Sequence, residues 1–181
     1  MATRKVKSVT QEDIVSRLRY DNGKLYWLPR GYGKFDKQFA GKEAGYYRPK
    51  DGFFSIAFNE SRLLLSRVIW IYHNGEIPEN MEIDHINRNR LDNRIENLRI
   101  CHRHENAWNT ERRIDNTSGV KGVHWNPKNQ NWRARLSVNK IIMEIGSFQT
   151  LEQAANAIKQ ARLAYHGAFA YAGAPKNVGQ Q

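Results

Sequence analysis

A polar break constrains the fold of this chain more than any other feature: Asp115, Asn116, Thr117, Ser118 and Gly119 are five consecutive turn formers. The charge changes across them. Residues 1–115 carry 21 basic and 16 acidic side chains, whereas residues 116–181 carry 8 and 2. A chain of 181 residues cut at that point closes two small cores rather than one large one. We therefore expect domains over 1–115 and 116–172, followed by a frayed Gly/Ala/Pro/Asn/Gln-flavoured tail over 173–181. The net charge of +11 points to an anionic partner, of which nucleic acid is the default. No uncharged apolar run approaches the ~20 residues that a bilayer requires, and the basic start has no apolar stretch behind it, so neither a membrane nor a secretory class is expected. The single cysteine, Cys101, can form neither an intrachain disulfide nor a multi-thiolate zinc site, which suits a reducing cytosol.

In the first half, Thr10 and Asp13 are placed to cap a short helix carrying Ile14, Val15 and Leu18, with a strand over 24–28 behind it. Residues 31–50 are rich in Gly, Lys and Tyr and carry no clear period. Residues 53–58 and 62–65 read as a hairpin turning at Asn59 and Glu60, and Ser66 is placed to cap a helix that stops at Asn74 and Gly75. Residues 82–85 and 97–100 read as two short strands around an Asn/Arg-rich loop, with a polar helix over 101–109. The second half has cleaner periodicity, with strands expected over 122–125, 131–138 and 140–146. In the middle one Trp132, Ala134, Leu136 and Val138 alternate with Arg133, Arg135 and Ser137, giving one apolar and one basic or polar face. Thr150 and Gln153 form a capping box that opens a helix with Leu151, Ala154, Ala155, Ile158, Ala161 and Tyr165 along one stripe, ending at Gly167. Stripe and apolar sheet face can bury each other, leaving the arginines in solvent.

The run Glu82-Ile83-Asp84-His85, then Asp92-Asn93, Glu96-Asn97-Leu98-Arg99 and Glu105-Asn106, resembles the HNH nuclease motif. With Arg67 to Trp70, Asn74-Gly75, Ile77-Pro78 and the early Tyr20 to Gly23, it is similar to the phage and intron-encoded HNH homing endonucleases. That resemblance implies an α+β fold whose first half holds a two-strands-then-helix metal finger, and a site-directed endonuclease using one divalent ion, Mg²⁺ or Mn²⁺. It implies His85 as general base, Asp84 and Asn106 as metal ligands, and Asn97 as the residue orienting His85, with Asn93 as the other choice. His102 and His104 remain alternatives to Asn106. These residue types suit the chemistry: a near-neutral imidazole can deprotonate water, while hard oxygens hold a cation that offsets charge on the phosphate. Arg88 and Arg90 form a loop expected to meet the DNA backbone. A catalytically inert DNA-binding regulator is the competing function.

In the second half, Val120 to Trp125, Trp132 to Leu136, Ile145 to Phe148, the Thr150 helix and Tyr165 to Gly167 resemble the Apetala or ethylene-response-factor DNA-binding domain. That family is a three-stranded antiparallel sheet packed on one helix, with the sheet in the major groove. The resemblance assigns DNA contacts to Lys121, His124, Arg133 and Arg135, while Trp125 and Trp132 are read as core or rim. Double-stranded DNA is the expected partner, with no membrane and no protein partner implied, in the cytoplasm of a bacterial host if phage-encoded.

Overall fold

Thr10 stands in extended conformation and accepts a hydrogen bond from the backbone N–H of Asp13, whose carboxylate accepts the Thr10 N–H in return. This reciprocal cap opens α1 (Gln11–Val15) in our computed structural model, which describes residues 9–109 and 116–170. The chain divides into two compact units, Met1–Arg103 and His104–Gln181. The division falls ahead of the turn-forming break because Trp108 belongs with the later unit, its ring stacked on His166 at 4.2 Å and 7°. Residues 110–115 and the tail expected from 173 lie outside the described residues.

The first unit is a mixed α/β assembly of small antiparallel sheets. Leu18, expected on the first helix, opens β1 (Leu18–Asp21) instead, because Asn22 and Gly23 take positive φ and turn the chain back into β2 (Lys24–Trp27). The patternless stretch yields α2 (Gly33–Phe39) and two short strands, β3 (Glu43–Ala44) and β4 (Tyr46–Arg48). Helix α2 buries no residue fully, so it has no apolar period to read. It is held by Asp36, whose carboxylate accepts the N–H groups of Arg30 and Gly31, and by Phe35 set edge-on against Trp27.

Strands β5 (Phe53–Phe58) and β6 (Ser61–Leu64) form the expected hairpin, with Asn59 and Glu60 both at positive φ. That is the two-residue turn whose twist matches antiparallel strands. Helix α3 (Leu65–Asn74) follows with Leu64 at its cap position and no side-chain cap, so Ser66 is a buried residue of the first turn, not the cap. Gly75 ends it at φ 79. The core gathers Ile14, Leu18, Leu25, Ile56, Phe58, Val68, Ile69 and Leu98. Over it lies the two-stranded pair β7 (Met81–His85) and β8 (Leu98–His102).

The second unit begins with α4 (Arg103–Trp108), whose first residue still counts with the first unit. Its sheet runs in the order β11 (Ile141–Phe148), β10 (Asn131–Val138), β9 (Val123–Asn126), and α5 (Leu151–His166) packs across it. Thr150 and Gln153 make the expected reciprocal cap. Val123, Ala134, Leu136, Ala154 and Ile158 are buried together. Tyr165, expected on the apolar stripe, is exposed, and Arg162 and His166 are buried in its stead. Each makes one bond to backbone: Arg162 donates to the Lys121 carbonyl, and His166 Nε2 lies 3.1 Å from the Ser137 carbonyl, while His166 Nδ1 is buried with no hydrogen-bond partner. No helix of the described residues is long and apolar enough to cross a membrane.

Candidate active site

The two strands around the Asn/Arg-rich loop build this region from local rules. Antiparallel register sets Asp84 opposite Arg99 and His85 opposite Leu98. Arg99 then reaches across: its Nε and Nη2 lie 2.8 and 2.7 Å from Asp84 Oδ2. Both partners are largely buried, at 7% and 15% side-chain exposure. A buried carboxylate requires such compensation, because desolvating an isolated charge is costly.

His85 ends β7 and is likewise buried. Its Nε2 lies 3.0 Å from Asn93 Oδ1, and its ring centroid lies 6.3 Å from that of Phe53 on β5. An amide oxygen can only accept, so this contact is a hydrogen bond in the tautomer that carries its proton on Nε2. That is the tautomer in which Nδ1 can take a proton from water. Arg90 lies over the other partner of this contact, 4.7 Å above the Phe53 ring, with its Nη1 donating to the Asp51 carbonyl.

The loop that carries Asn93 is tied internally. Asn97 accepts the Asn87 N–H through Oδ1 and donates through Nδ2 to the Asp92 carbonyl, at 3.0 and 2.7 Å. Asn93 therefore makes the ring contact that the sequence assigned first to Asn97, while Asn97 braces the loop. Arg94 grips the Asp92 carboxylate at 2.8 and 2.7 Å, and these hydrogen bonds hold its pKa down at about 2. Arg88 takes a positive φ of 64° in the same loop, its N–H donating to the His85 carbonyl.

Asn106 is half-buried on α4 in the second unit, beside exposed His104, whose ring meets Trp108 edge-on at 5.2 Å. His102 is exposed at the end of β8, and Cys101 is buried with its thiol facing the Glu82 carbonyl. Among the described residues no group of three or more His, Cys, Asp and Glu side chains is placed to hold a metal ion. In donor chemistry the Asp84 carboxylate and the Asn106 amide oxygen are each hard oxygens of the kind a divalent ion takes.

In the second unit, His124 pairs with Arg133 across β9 and β10, and Arg133 and Arg135 share one sheet face. Both guanidiniums are bound by Glu144 of β11, at 2.9 and 2.8 Å from their Nε atoms. Lys121 is engaged elsewhere, its Nζ donating to the Trp108 carbonyl at 3.1 Å. Trp125 and Trp132 meet edge-on at 5.1 Å; Trp132 packs against the core and Trp125 is 43% exposed at its rim. Arg99, Phe53 and Glu144 were not singled out as site residues from sequence. Arg99 was accessible by counting the antiparallel register from Asp84; Phe53 had no local signal.

Residues 63–108 match the family described as HNH endonuclease. Over 102 residues, 56% of this chain and 84% of the relative, the chain is 36% identical to Protein 3.8 of Escherichia phage T7. Over 134 residues, 71% of this chain and 68% of the relative, it is 32% identical to a protein of Acanthamoeba polyphaga mimivirus named as an uncharacterized HNH endonuclease. No solved structure gives a significant match.

Proposed function

Because the chain belongs to the HNH endonuclease family, whose nucleases act on nucleic acid and commonly use a divalent metal ion, we propose that it is a site-directed endonuclease of double-stranded DNA. The observation that carries this reading is the 3.0 Å contact between His85 Nε2 and Asn93 Oδ1, next to the buried Asp84. It fixes the orientation of the His85 ring, which serves as the general base. Nδ1 of His85 accepts the proton of the attacking water, and Asn93 stabilises the imidazolium that forms by accepting its Nε2–H. A fixed ring orientation keeps that lone pair on one line.

Asp84 and Asn106 would hold one divalent ion, Mg²⁺ or Mn²⁺, which when bound supplies charge neutralisation at the phosphate and the leaving oxygen. Arg99 fixes the Asp84 carboxylate through one oxygen and balances its charge. Arg88 and Arg90 approach the backbone of the DNA beside this centre, and Asn97 keeps their loop in shape. The second unit reads the duplex in the manner of an Apetala-type domain, through the sheet face bearing His124, Arg133 and Arg135. Homing, with cleavage directed to a chosen site, is the biology this pairing of halves supports.

The test is incubation of supercoiled plasmid with the protein and Mg²⁺ beside an EDTA control. Conversion to nicked or linear DNA that EDTA abolishes is the expected outcome. Metal-independent cleavage would remove the Asp84 and Asn106 assignment; no cleavage with any divalent ion, alongside intact DNA binding, would favour the inert DNA-binding regulator.

A further inference from the structure

The sheet face proposed to read DNA carries an acid at its centre. Arg133 and Arg135 sit two apart on β10, and the register of β11 would set Ile145 opposite Arg135 were it not for a shift between Ala134 and Arg135. That bulge inserts one residue and brings Glu144 opposite Arg135 instead. Its two oxygens then divide between the arginines, Oε1 to Arg133 Nε at 2.9 Å and Oε2 to Arg135 Nε at 2.8 Å. The three side chains are 32–40% exposed, so this is a surface arrangement and not a core one. Burial pushes the Glu144 carboxyl up, but hydrogen bonds and charge from both arginines outweigh it and hold its pKa below the ordinary carboxylate value.

We propose that Glu144 is a specificity-determining residue, an internal carboxylate that engages the Nε edges of Arg133 and Arg135 and so favours guanine edges over backbone phosphates at this face. The inference rests on the reading of the second unit as a DNA reader. Its logic is a difference between two kinds of acceptor. A phosphate is an anion and competes with Glu144 for the same guanidinium charge, and it is repelled by the carboxylate that stays beside it. The O6/N7 edge of guanine is neutral, so it meets little of that repulsion. Each guanidinium has five N–H donors, and Glu144 takes only the Nε–H of each. The Nη edge, with two parallel donors, is the fork that matches guanine bidentately. Fixing the forks side by side also removes rotamer freedom before binding. The occupant is duplex DNA because residues 116–181 carry 8 basic side chains against 2 acidic, and Glu144 is one of those two.

The experiment uses the full chain in EDTA, with binding to fluorescent duplexes of one length, G·C-only and A·T-only, followed by anisotropy across a salt series. Wild type is compared with Glu144→Gln, Glu144→Ala and the Arg133→Ala/Arg135→Ala double variant, each checked for an unchanged melting transition. The expected result is that both Glu144 variants bind the A·T-only duplex roughly three- to tenfold more tightly at low salt, with a log–log salt slope steeper by about one, as one more phosphate is neutralised. The ratio of G·C to A·T affinity falls with it. Unchanged slope and ratio in both Glu144 variants, or weaker binding to both duplexes, would overturn the role of Glu144. The double variant separates the two ideas. If it binds as wild type does, the face is not a DNA surface and the reader assignment itself fails; if it loses affinity while the Glu144 variants stay unchanged, only the role of Glu144 fails.

Discussion

His85 is the residue on which the proposed chemistry turns, and its neighbour Asn93 decides how it can act. Removing the imidazole in His85→Ala is expected to slow hydrolysis by roughly 10²–10⁴, the usual worth of a positioned base. DNA affinity should stay the same, which a filter-binding curve beside the cleavage time course checks. Asn93→Ala leaves the ring without its Nε2–H acceptor and is expected to lower the rate by about 10–100-fold, the usual cost of losing such a partner. Asn97→Ala should act differently. Its amide braces Asn87 and Asp92, so loosening should appear as faster hydrogen exchange across 86–97, a signature that Asn93→Ala lacks. The Asp84-His85 pair is legible in the sequence as part of a motif, because its spacing is local. The sequence could not choose between Asn93 and Asn97, two amides four residues apart whose roles depend on the path of the loop, including the positive φ at Arg88.

At the scale of elements, what was legible was what is built from neighbours in sequence. The reciprocal caps at Thr10 and Thr150, the Asn59-Glu60 hairpin and the stop at Gly75 all depend on residues within a few positions of each other. Helix α2 escaped because Asp36 and Phe35 hold it through contacts rather than through an apolar stripe. Tyr165 fell on a plausible stripe, yet the sheet takes Arg162 and His166 at that end, since each finds a backbone carbonyl there. Two predictions belong here. Gly122 has φ 77, and a Cβ on it would lie 2.5 Å from the Arg135 carbonyl oxygen. Gly122→Ala should therefore cost ~1–3 kcal/mol, read as a lower melting temperature. The second concerns His166, whose pKa is lowered from 6.5 chiefly by burial, with Arg162 and Lys121 adding to it against the opposing Ser137 bond. Its folded pKa lies below its unfolded one, so its contribution is full above about pH 6.5 and is lost as pH falls through the folded value. Melting temperature should thus drop more between pH 7.5 and 5.5 in wild type than in His166→Gln.

The whole molecule carries +11, with the denser excess in the later residues, so the proposed hold on DNA would be electrostatic to first order. Duplex affinity of the full chain should fall by roughly 10³-fold or more between about 50 and 200 mM salt if six or more phosphates are contacted. A fall of less than tenfold would mean that few of these cations touch backbone. The charge, the run of turn formers over 115–119, the adjacency of Asp84 and His85 and the alternating β10 face are properties of residue order. Tertiary structure decided which amide meets His85, that Arg99 stands behind Asp84, and that α4 belongs with the later unit through Trp108 and His166. It decided, too, that Arg133 and Arg135 face a carboxylate. Each of these depends on register or on packing between segments distant in sequence. The bulge beside Ala134 is the clearest case: one added residue in β11 exchanges Ile145 for Glu144 opposite Arg135, and no local pattern distinguishes the two registers.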